Sequence, residues 1–467
     1  MTITLHLLEI IPILTYLIAI LLLGFFRRQK DESPEDFILG GRRLTFPAFI
    51  ATLVTTWYGG ILGVGEFTYL YGLSNWIVFG LPYYVFAIIF AFLFAPKIQS
   101  APFVSIPDQF YANYGRSGGY LGTVFTFFMT LPAPYILMVG LLVHFISGWS
   151  LWICIILGAG FSMIYVLSGG FRAVVRTDKL QFLLMFGGFA VLLIVLANTY
   201  GGLSFLAGNL PEYHLTWHGG NTPQFMLIWF FIALWTFIDP GFHQRCYAAS
   251  SPKVARNGIL VSVAFWCVFD FLTTSTGLYA RTLLAEGSIQ PALSFPVLGH
   301  QVLPPLLSGL FLTGLLATIM STVDSLSLLS AITIGHDLLK KILPDKKSES
   351  AYLKIGLIIT VVISIILAIA VPSVIEIWLL IGNIFIPPML LPLIACYYPA
   401  LNPGKKWVVW NLSASFLTAV FFLALAIMNS PSLAELYFYK DIPPMYPGLL
   451  VSIIIFVLGK RFGSIKK

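Results

Sequence analysis

The segment Thr55–Glu66 reads TTWYGGILGVGE. It lies within an apolar stretch, residues 46–71, that is long enough to cross a bilayer, which takes about 20 apolar residues. Adjacent glycines at Gly59 and Gly60, further glycines at Gly63 and Gly65, and a carboxylate at Glu66 are poor material for a helix that faces lipid. Non-helical backbone survives at membrane depth only where it lines a cavity or is packed in protein. A second interruption, FIDPGF at Phe237–Phe242, falls in the apolar stretch 223–243. These are the second and seventh of thirteen such stretches, and by the topology read below they run in opposite directions. Matched breaks of opposite direction predict an inverted repeat in which helices two to six and seven to eleven each open with a broken helix. Glycines that only let helices pack closely are the other reading.

The thirteen stretches are 7–26, 46–71, 74–96, 119–147, 150–168, 178–198, 223–243, 257–283, 302–326, 353–371, 374–398, 407–428 and 445–459. The chain is 58% hydrophobic and 10% charged, against about 25% charged for soluble proteins. The fold class is therefore an all-α polytopic membrane protein, with no separate soluble enzyme or sensor domain left over. The expected division is 1–45, a first helix and linker; 46–200 and 201–400, the two five-helix repeats; and 401–467, two peripheral helices.

The formal charge of +7 would suggest nucleic acid in a soluble protein. Its placement says otherwise. The loops 27–45, 97–118, 169–179, 244–256, 335–354, 399–406 and 460–467 carry 24 of the 26 Lys and Arg residues, leaving only Arg281 and Lys440 on the other side. That asymmetry predicts an outside N-terminus and a cytoplasmic C-terminus in the cell membrane. The first stretch follows MTITLH and precedes Arg27 and Arg28, the reverse of a secretory signal, so it reads as a retained helix. The four cysteines suggest neither a disulfide framework nor a zinc site.

Thr318–Ser330 reads TIMSTVDSLSLLS. On a helix, Thr318, Ser321, Thr322 and Ser325 fall within an arc of about 100°. A single membrane hydroxyl usually bonds back to its own helix. Four on one face form a stripe of hard oxygen ligands suited to a small cation, or a hydrogen-bonded seam between helices.

Four motifs carry a resemblance: DFILGGRRL at Asp36–Leu44, GGFRAVVRTDKLQ at Gly169–Gln181, DPGFHQRCYAA at Asp239–Ala249, and MSTVDS at Met320–Ser325 followed by HDLLKK. In this order they resemble the sodium:solute symporter family over roughly residues 35–400. The resemblance implies a five-plus-five inverted repeat of the leucine-transporter-like kind. It implies a Na⁺ site between helices two and nine, with hydroxyls from Ser321 and Thr322 and carbonyls from Thr318, Thr55 and Tyr58. Thr177 and Asp178 match the family's TD pair, and Asp178 with Ser325 would form a possible second Na⁺ site. An interfacial Asp178 paired with Arg176 or Lys179 is the plainer reading.

The resemblance also puts the solute at the midplane, with Asn75, Trp76, Trp235, Asp239 and Asn383 as candidates. Glu66 and Asp239 are the acids nearest the breaks, and either could meet a substrate amine or cap a half-helix. Asp270 reads as a structural partner or gate, and His243 as packed against Arg245. No nucleophile–base pair, metal-ligand cluster or phosphate loop is apparent, which argues against an enzyme. The expected function is Na⁺-coupled symport of a small organic solute, with no cofactor beyond the coupling ion, no nucleic acid and no protein partner evident. Proton drive through Asp178 or Glu66, and a sensor or channel role, are the alternatives.

Overall fold

The computed structural model describes residues 3–25, 34–344, 346, 348–433 and 435–463. The apolar helices among the described residues are α1 (Leu7–Gly24), α2 (Phe46–Tyr71), α3 (Trp76–Leu93), α4 (Ile106–Ser147), α5 (Leu151–Ile164), α6 (Gly169–Tyr200), α7 (Pro223–Ala248), α8 (Pro252–Leu283), α9 (Pro305–Ile342), α10 (Glu349–Ala370), α11 (Val374–Tyr397), α12 (Lys405–Asn429) and α13 (Met445–Gly463). Twelve of them are long and apolar enough to cross a membrane. The exception, α5, is a shorter apolar helix on the fifth expected stretch, and it continues into α6 through a kink at Gly170 (φ 53°).

Both expected breaks are present. In α2, helix runs over Phe46–Trp57, tightens into a 3₁₀ turn at Tyr58–Gly60, and resumes at Ile61. Glycine is needed there because neighbours press on the backbone. A Cβ on Gly59 would lie 1.9 Å from Thr322 Oγ1, and one on Gly60 2.4 Å from the Trp378 ring. In α7, helix ends at Ile232, a 3₁₀ turn covers Ala233–Phe237, and a second helix starts at Pro240. Asp239 caps that restart, its Oδ1 accepting from Phe242 N at 2.8 Å. Proline at the first helical position costs nothing there, since that N–H would lack an intrahelical partner anyway.

Helix α9 lies along α6 and against α2, and α1 covers α6 and α9. At the other edge, α12 and α13 pair with each other and rest on α11. Helices α4 and α9 outrun their apolar stretches furthest. Helix α4 starts at Ile106, capped by Ser105, and passes a kink at Gly115 (φ 71°) before the expected 119. Its polar opening turns are held by protein: Gln109 and Tyr114 are buried, and Tyr114 donates to Pro392 O at 2.6 Å. Helix α9 does not stop at 326 but continues to Ile342, through a π-helical turn at Thr333–Leu339. Its late hydroxyls find partners, Ser330 donating to Thr130 O at 2.7 Å and Thr333 to Leu329 O at 2.9 Å. The loop before α7 folds back over the end of α2, where Leu73 N donates to His214 O at 2.8 Å. Gly72 (φ 60°) permits this approach, since a Cβ would meet His214 O at 2.2 Å.

Candidate ion and solute site

The break in α2 and the hydroxyl stripe of α9 share one surface. Thr322 Oγ1 donates to Thr56 O at 2.7 Å, tying α9 to the last turn before the break. One turn along α9, Ser325 Oγ is 3.0 Å from Thr56 Oγ1. Thr318 behaves differently: its hydroxyl bonds back to Gly314 O at 2.7 Å. Thr55 does likewise with Ala51 O at 2.9 Å. These two hydroxyls spend their protons on their own helices, whereas Thr322 spends its proton across the gap to α2. The Tyr58 phenol points away to Trp266 O at 3.1 Å.

Behind this surface lies a charged pair that the loop-and-span reading did not anticipate. Asp178 and Arg245 are both fully buried. Asp178 Oδ2 accepts from Thr52 Oγ1 at 2.5 Å and Oδ1 from Ser321 Oγ at 2.6 Å. Arg245 Nη2 donates to Thr52 Oγ1 at 3.1 Å, to Thr56 Oγ1 at 2.8 Å and to Ser325 Oγ at 2.8 Å. Thr52 thus relays between carboxylate and guanidinium. Buried charges are kept when each is balanced and hydrogen-bonded, and this network supplies both conditions. Asp178 is therefore an interior residue bonded to hydroxyls. Arg245 lies in the second half of α7 and not in the loop 244–256 where its charge was counted. Ser325 joins Arg245 and Thr56, while Asp178 joins Thr52 and Ser321. The plainer expectation for His243 gives way as well: its ring bonds Tyr397 OH and Phe237 O, each at 3.1 Å.

A cavity of about 140 Å³ opens beside this network, lined from α2, α3, α4, α7, α8, α9 and α11. Thr56, Thr322 and Arg245 form its polar floor, and Arg245 Nε has no hydrogen-bond partner. Aromatic side chains make the walls, among them Trp57, Tyr83, Tyr135, Trp229 and Trp378. Trp57 packs edge-on to Tyr83 with centroids 5.0 Å apart.

Of the residues expected to meet solute, Trp235 and Asp239 line the cavity, and Trp235 Nε1 donates to Asp239 Oδ2 at 3.1 Å. Asn75, Trp76, Glu66 and Asn383 do not line it. Asn75 bonds Thr274 Oγ1 at 3.1 Å and Trp76 bonds Tyr84 OH at 3.1 Å. Tyr84 in turn donates to Asp270, which reaches the cavity wall. Asn383 joins α11 to the start of α13, accepting from Met445 N at 3.1 Å and donating to Leu379 O at 2.8 Å. Glu66 is half-buried on the second half of α2. The aromatic walls were not singled out from sequence, because 15% of the residues are aromatic and nothing in their spacing separates cavity from core. Arg245 had a signal, a cation inside the DPGFHQR motif at the end of an apolar stretch.

Broken helices on two sides of a central cavity, in a bundle with twelve helices among the described residues that are long and apolar enough to cross a membrane, match the leucine-transporter-like fold. The chain belongs to the sodium:solute symporter family, whose profile matches residues 37–399. It is 27% identical to the sodium/pantothenate symporter of Escherichia coli (strain K12), covering 97% of this chain and 96% of that protein. It is 24% identical to the osmoregulated proline transporter of Bacillus subtilis (strain 168), covering 97% and 95%. Among solved structures, a substrate-bound, outward-open Na⁺-coupled sialic acid symporter superposes with a TM-score of 0.78 at 16% identity, covering 99% of this chain and 98% of that one.

Proposed function

We propose that this protein carries a small organic solute into the cell together with Na⁺ by alternating access. The observation that carries the reading is the contact of Thr322 with Thr56 and Gly59, which sets the hydroxyls of α9 against the break in α2 at the floor of the cavity. Na⁺ binds there through the hydroxyls of Ser321 and Thr322 and the carbonyls of Thr55, Tyr58 and Thr318. Binding orders the break against α9, and the ordered break completes the cavity. Solute affinity then rises with Na⁺, and Na⁺ affinity rises with solute by the same factor. Inward movement of the ion supplies about 2.3 kcal/mol per 100 mV. Asp178 and Ser325 stand next to this site as a possible second Na⁺ position.

Trp235, Asp239 and the Nε of Arg245 meet the solute, whose acceptor end takes the free guanidinium N–H. The relatives named for pantothenate and proline point to carboxylates, which fit that donor. Membership of the family favours sodium over protons as the driving ion, and transport over sensing or conduction. The repeats run from 46 to 200 and from 201 to 400, with 1–45 before them and two peripheral helices in 401–467. The protein lies in the cell membrane with its N-terminus outside and its C-terminus cytoplasmic, as the Lys/Arg asymmetry supports.

The test is uptake into proteoliposomes, with labelled pantothenate, proline and related carboxylates as trial solutes. Accumulation driven by an inward Na⁺ gradient, and absent with K⁺, supports the reading. Equal accumulation in a proton gradient without Na⁺ contradicts it.

A further inference from the structure

The ends of α4, α9 and α10 meet at Asp108, His336, Asp337 and Glu349, none of which lines the cavity. His336 and Asp337 open the HDLLKK segment, which ion and solute binding leave unused. The two aspartates of this cluster each have one oxygen committed to a protein donor. Ser105 Oγ donates to Asp337 Oδ1 at 2.8 Å, and Lys341 Nζ to Asp108 Oδ1 at 2.7 Å. The second oxygens are placed differently. Asp337 is fully buried and its Oδ2 has no hydrogen-bond partner. Asp108 Oδ2 stands 4.0 Å from His336 Nε2.

The far side of the imidazole is fixed. His336 Nδ1 lies 2.6 Å from Glu349 Oε1, and Glu349 Oε2 is held by Lys340 Nζ at 2.7 Å. A carboxylate at one ring nitrogen keeps the proton there and presents the other nitrogen as a lone pair, the arrangement found behind metal-bound histidines. One ligand atom each from Asp108, His336 and Asp337 lies within 4.8 Å of the other two. A buried carboxylate oxygen without a donor is costly, and a cation among these atoms removes that cost.

We propose that Asp108, His336 and Asp337 form a divalent transition-metal site of the zinc type, with Glu349 as the carboxylate that orients the histidine. Zinc bonds imidazole nitrogen and carboxylate oxygen at about 2.0–2.2 Å, so small rotations of the three side chains close the site. A nitrogen ligand selects against Mg²⁺ and Ca²⁺, which take oxygen sets. Lys341 stays on Asp108 Oδ1 and leaves Oδ2 for the ion. The bound metal pins three helix ends together and steadies this end of the bundle.

The experiment is calorimetric titration of the chelator-stripped, full-length protein with Zn²⁺, alongside Mg²⁺ and Ca²⁺. One saturable Zn²⁺ site is expected, with no binding of the other two ions at the same concentrations. Glu349→Gln should weaken Zn²⁺ binding 10- to 100-fold, the usual effect of losing such a partner. His336→Gln should abolish it, with Na⁺-dependent stabilisation retained as the check on folding. If His336→Gln fails to fold, X-ray absorption of the zinc-loaded parent protein gives the same answer, one imidazole beside oxygen ligands. Absence of Zn²⁺ binding, unchanged affinity in both variants, or a zinc shell with no imidazole or more than one would overturn the proposal.

Discussion

The Thr322 hydroxyl of α9 donates to the Thr56 carbonyl across 2.7 Å, two residues before α2 gives up its α-helical geometry at Tyr58. A break in a membrane helix frees carbonyls that need partners. Here the partner is a side chain of the helix that carries the hydroxyl stripe, so the proposed ion site and the shape of the break depend on each other.

Gly59 makes that contact possible, since a Cβ would lie 1.9 Å from Thr322 Oγ1 and 2.2 Å from Thr322 Cβ. Gly59→Ala should cost about 1–3 kcal/mol through overpacking and should remove stabilisation by Na⁺. Because Thr322 Cβ is part of the clash, Thr322→Ala should not rescue it. Thermal unfolding with and without Na⁺ measures both effects.

Arg245 balances Asp178 through Thr52 and also donates to Thr56 and Ser325. Arg245→Met strands a buried carboxylate, and breaking a buried pair costs about 3–5 kcal/mol. Asp178→Asn added to that variant should recover part of the loss. Unfolding curves of the parent, both single variants and the double variant measure the coupling. Additive losses would show that the two charges do not depend on each other.

Trp235 holds the Asp239 carboxylate at the cavity wall, while the cap on Phe242 N is made by the other oxygen. Trp235→Phe removes one hydrogen bond to a charged group, worth about 1.5–3 kcal/mol, and leaves the cap. Solute affinity should fall at least about tenfold, since about 1.4 kcal/mol is a factor of ten. Asn383→Ala, which cuts the link to Met445 outside the cavity, should lower the melting temperature and leave solute affinity within about twofold. Equilibrium solute binding to both variants separates the two roles.

His214 lies in the loop over α2, outside the membrane-spanning helices, and burial lowers its pKa from the ordinary value. Its Nε2 meets Tyr69 O at 3.0 Å and its backbone carbonyl holds Leu73 N. The folded state thus binds this proton less readily than the unfolded chain. The stability it contributes is present above about pH 6.5 and is lost as pH falls from there toward the lowered folded value. Melting temperature should drop between about pH 7 and 5, and His214→Gln should flatten that slope. Protection of residues 203–215 against hydrogen exchange, taken relative to the intrinsic rate at each pH, should fall over the same interval in the parent protein.

The bundle and its two breaks were readable because lipid penalises what they contain. Paired glycines at Gly59 and Gly60, and a proline after Asp239, are poor material for lipid-facing helix and so mark where protein or a cavity surrounds the backbone. The stripe on α9 was readable from helical spacing, but its division of labour was not. Whether a hydroxyl turns to its own helix, as Thr318 does, or across to another, as Thr322 does, depends on what the neighbour presents. Arg245 was misplaced because a charge at the end of an apolar stretch looks like a loop residue until a buried partner is known. That partner, Asp178, lies 67 positions earlier in the chain and reaches it through Thr52, on a third helix. The aromatic walls differ from lipid-facing aromatics only in three dimensions.

The most direct test of the account is a Na⁺ titration of thermal stability on the purified protein, with K⁺ as control and Thr322→Ala beside the parent. A ligand that binds the folded state raises stability as RT ln(1 + [L]/Kd). The account predicts a saturable rise with Na⁺ in the parent, no rise with K⁺, and a midpoint shifted at least about tenfold upward in the variant, the loss of one ligand costing on the order of 1.4 kcal/mol or more. A parent protein indifferent to Na⁺, or a variant that responds as the parent does, would contradict the placement of the ion between α2 and α9.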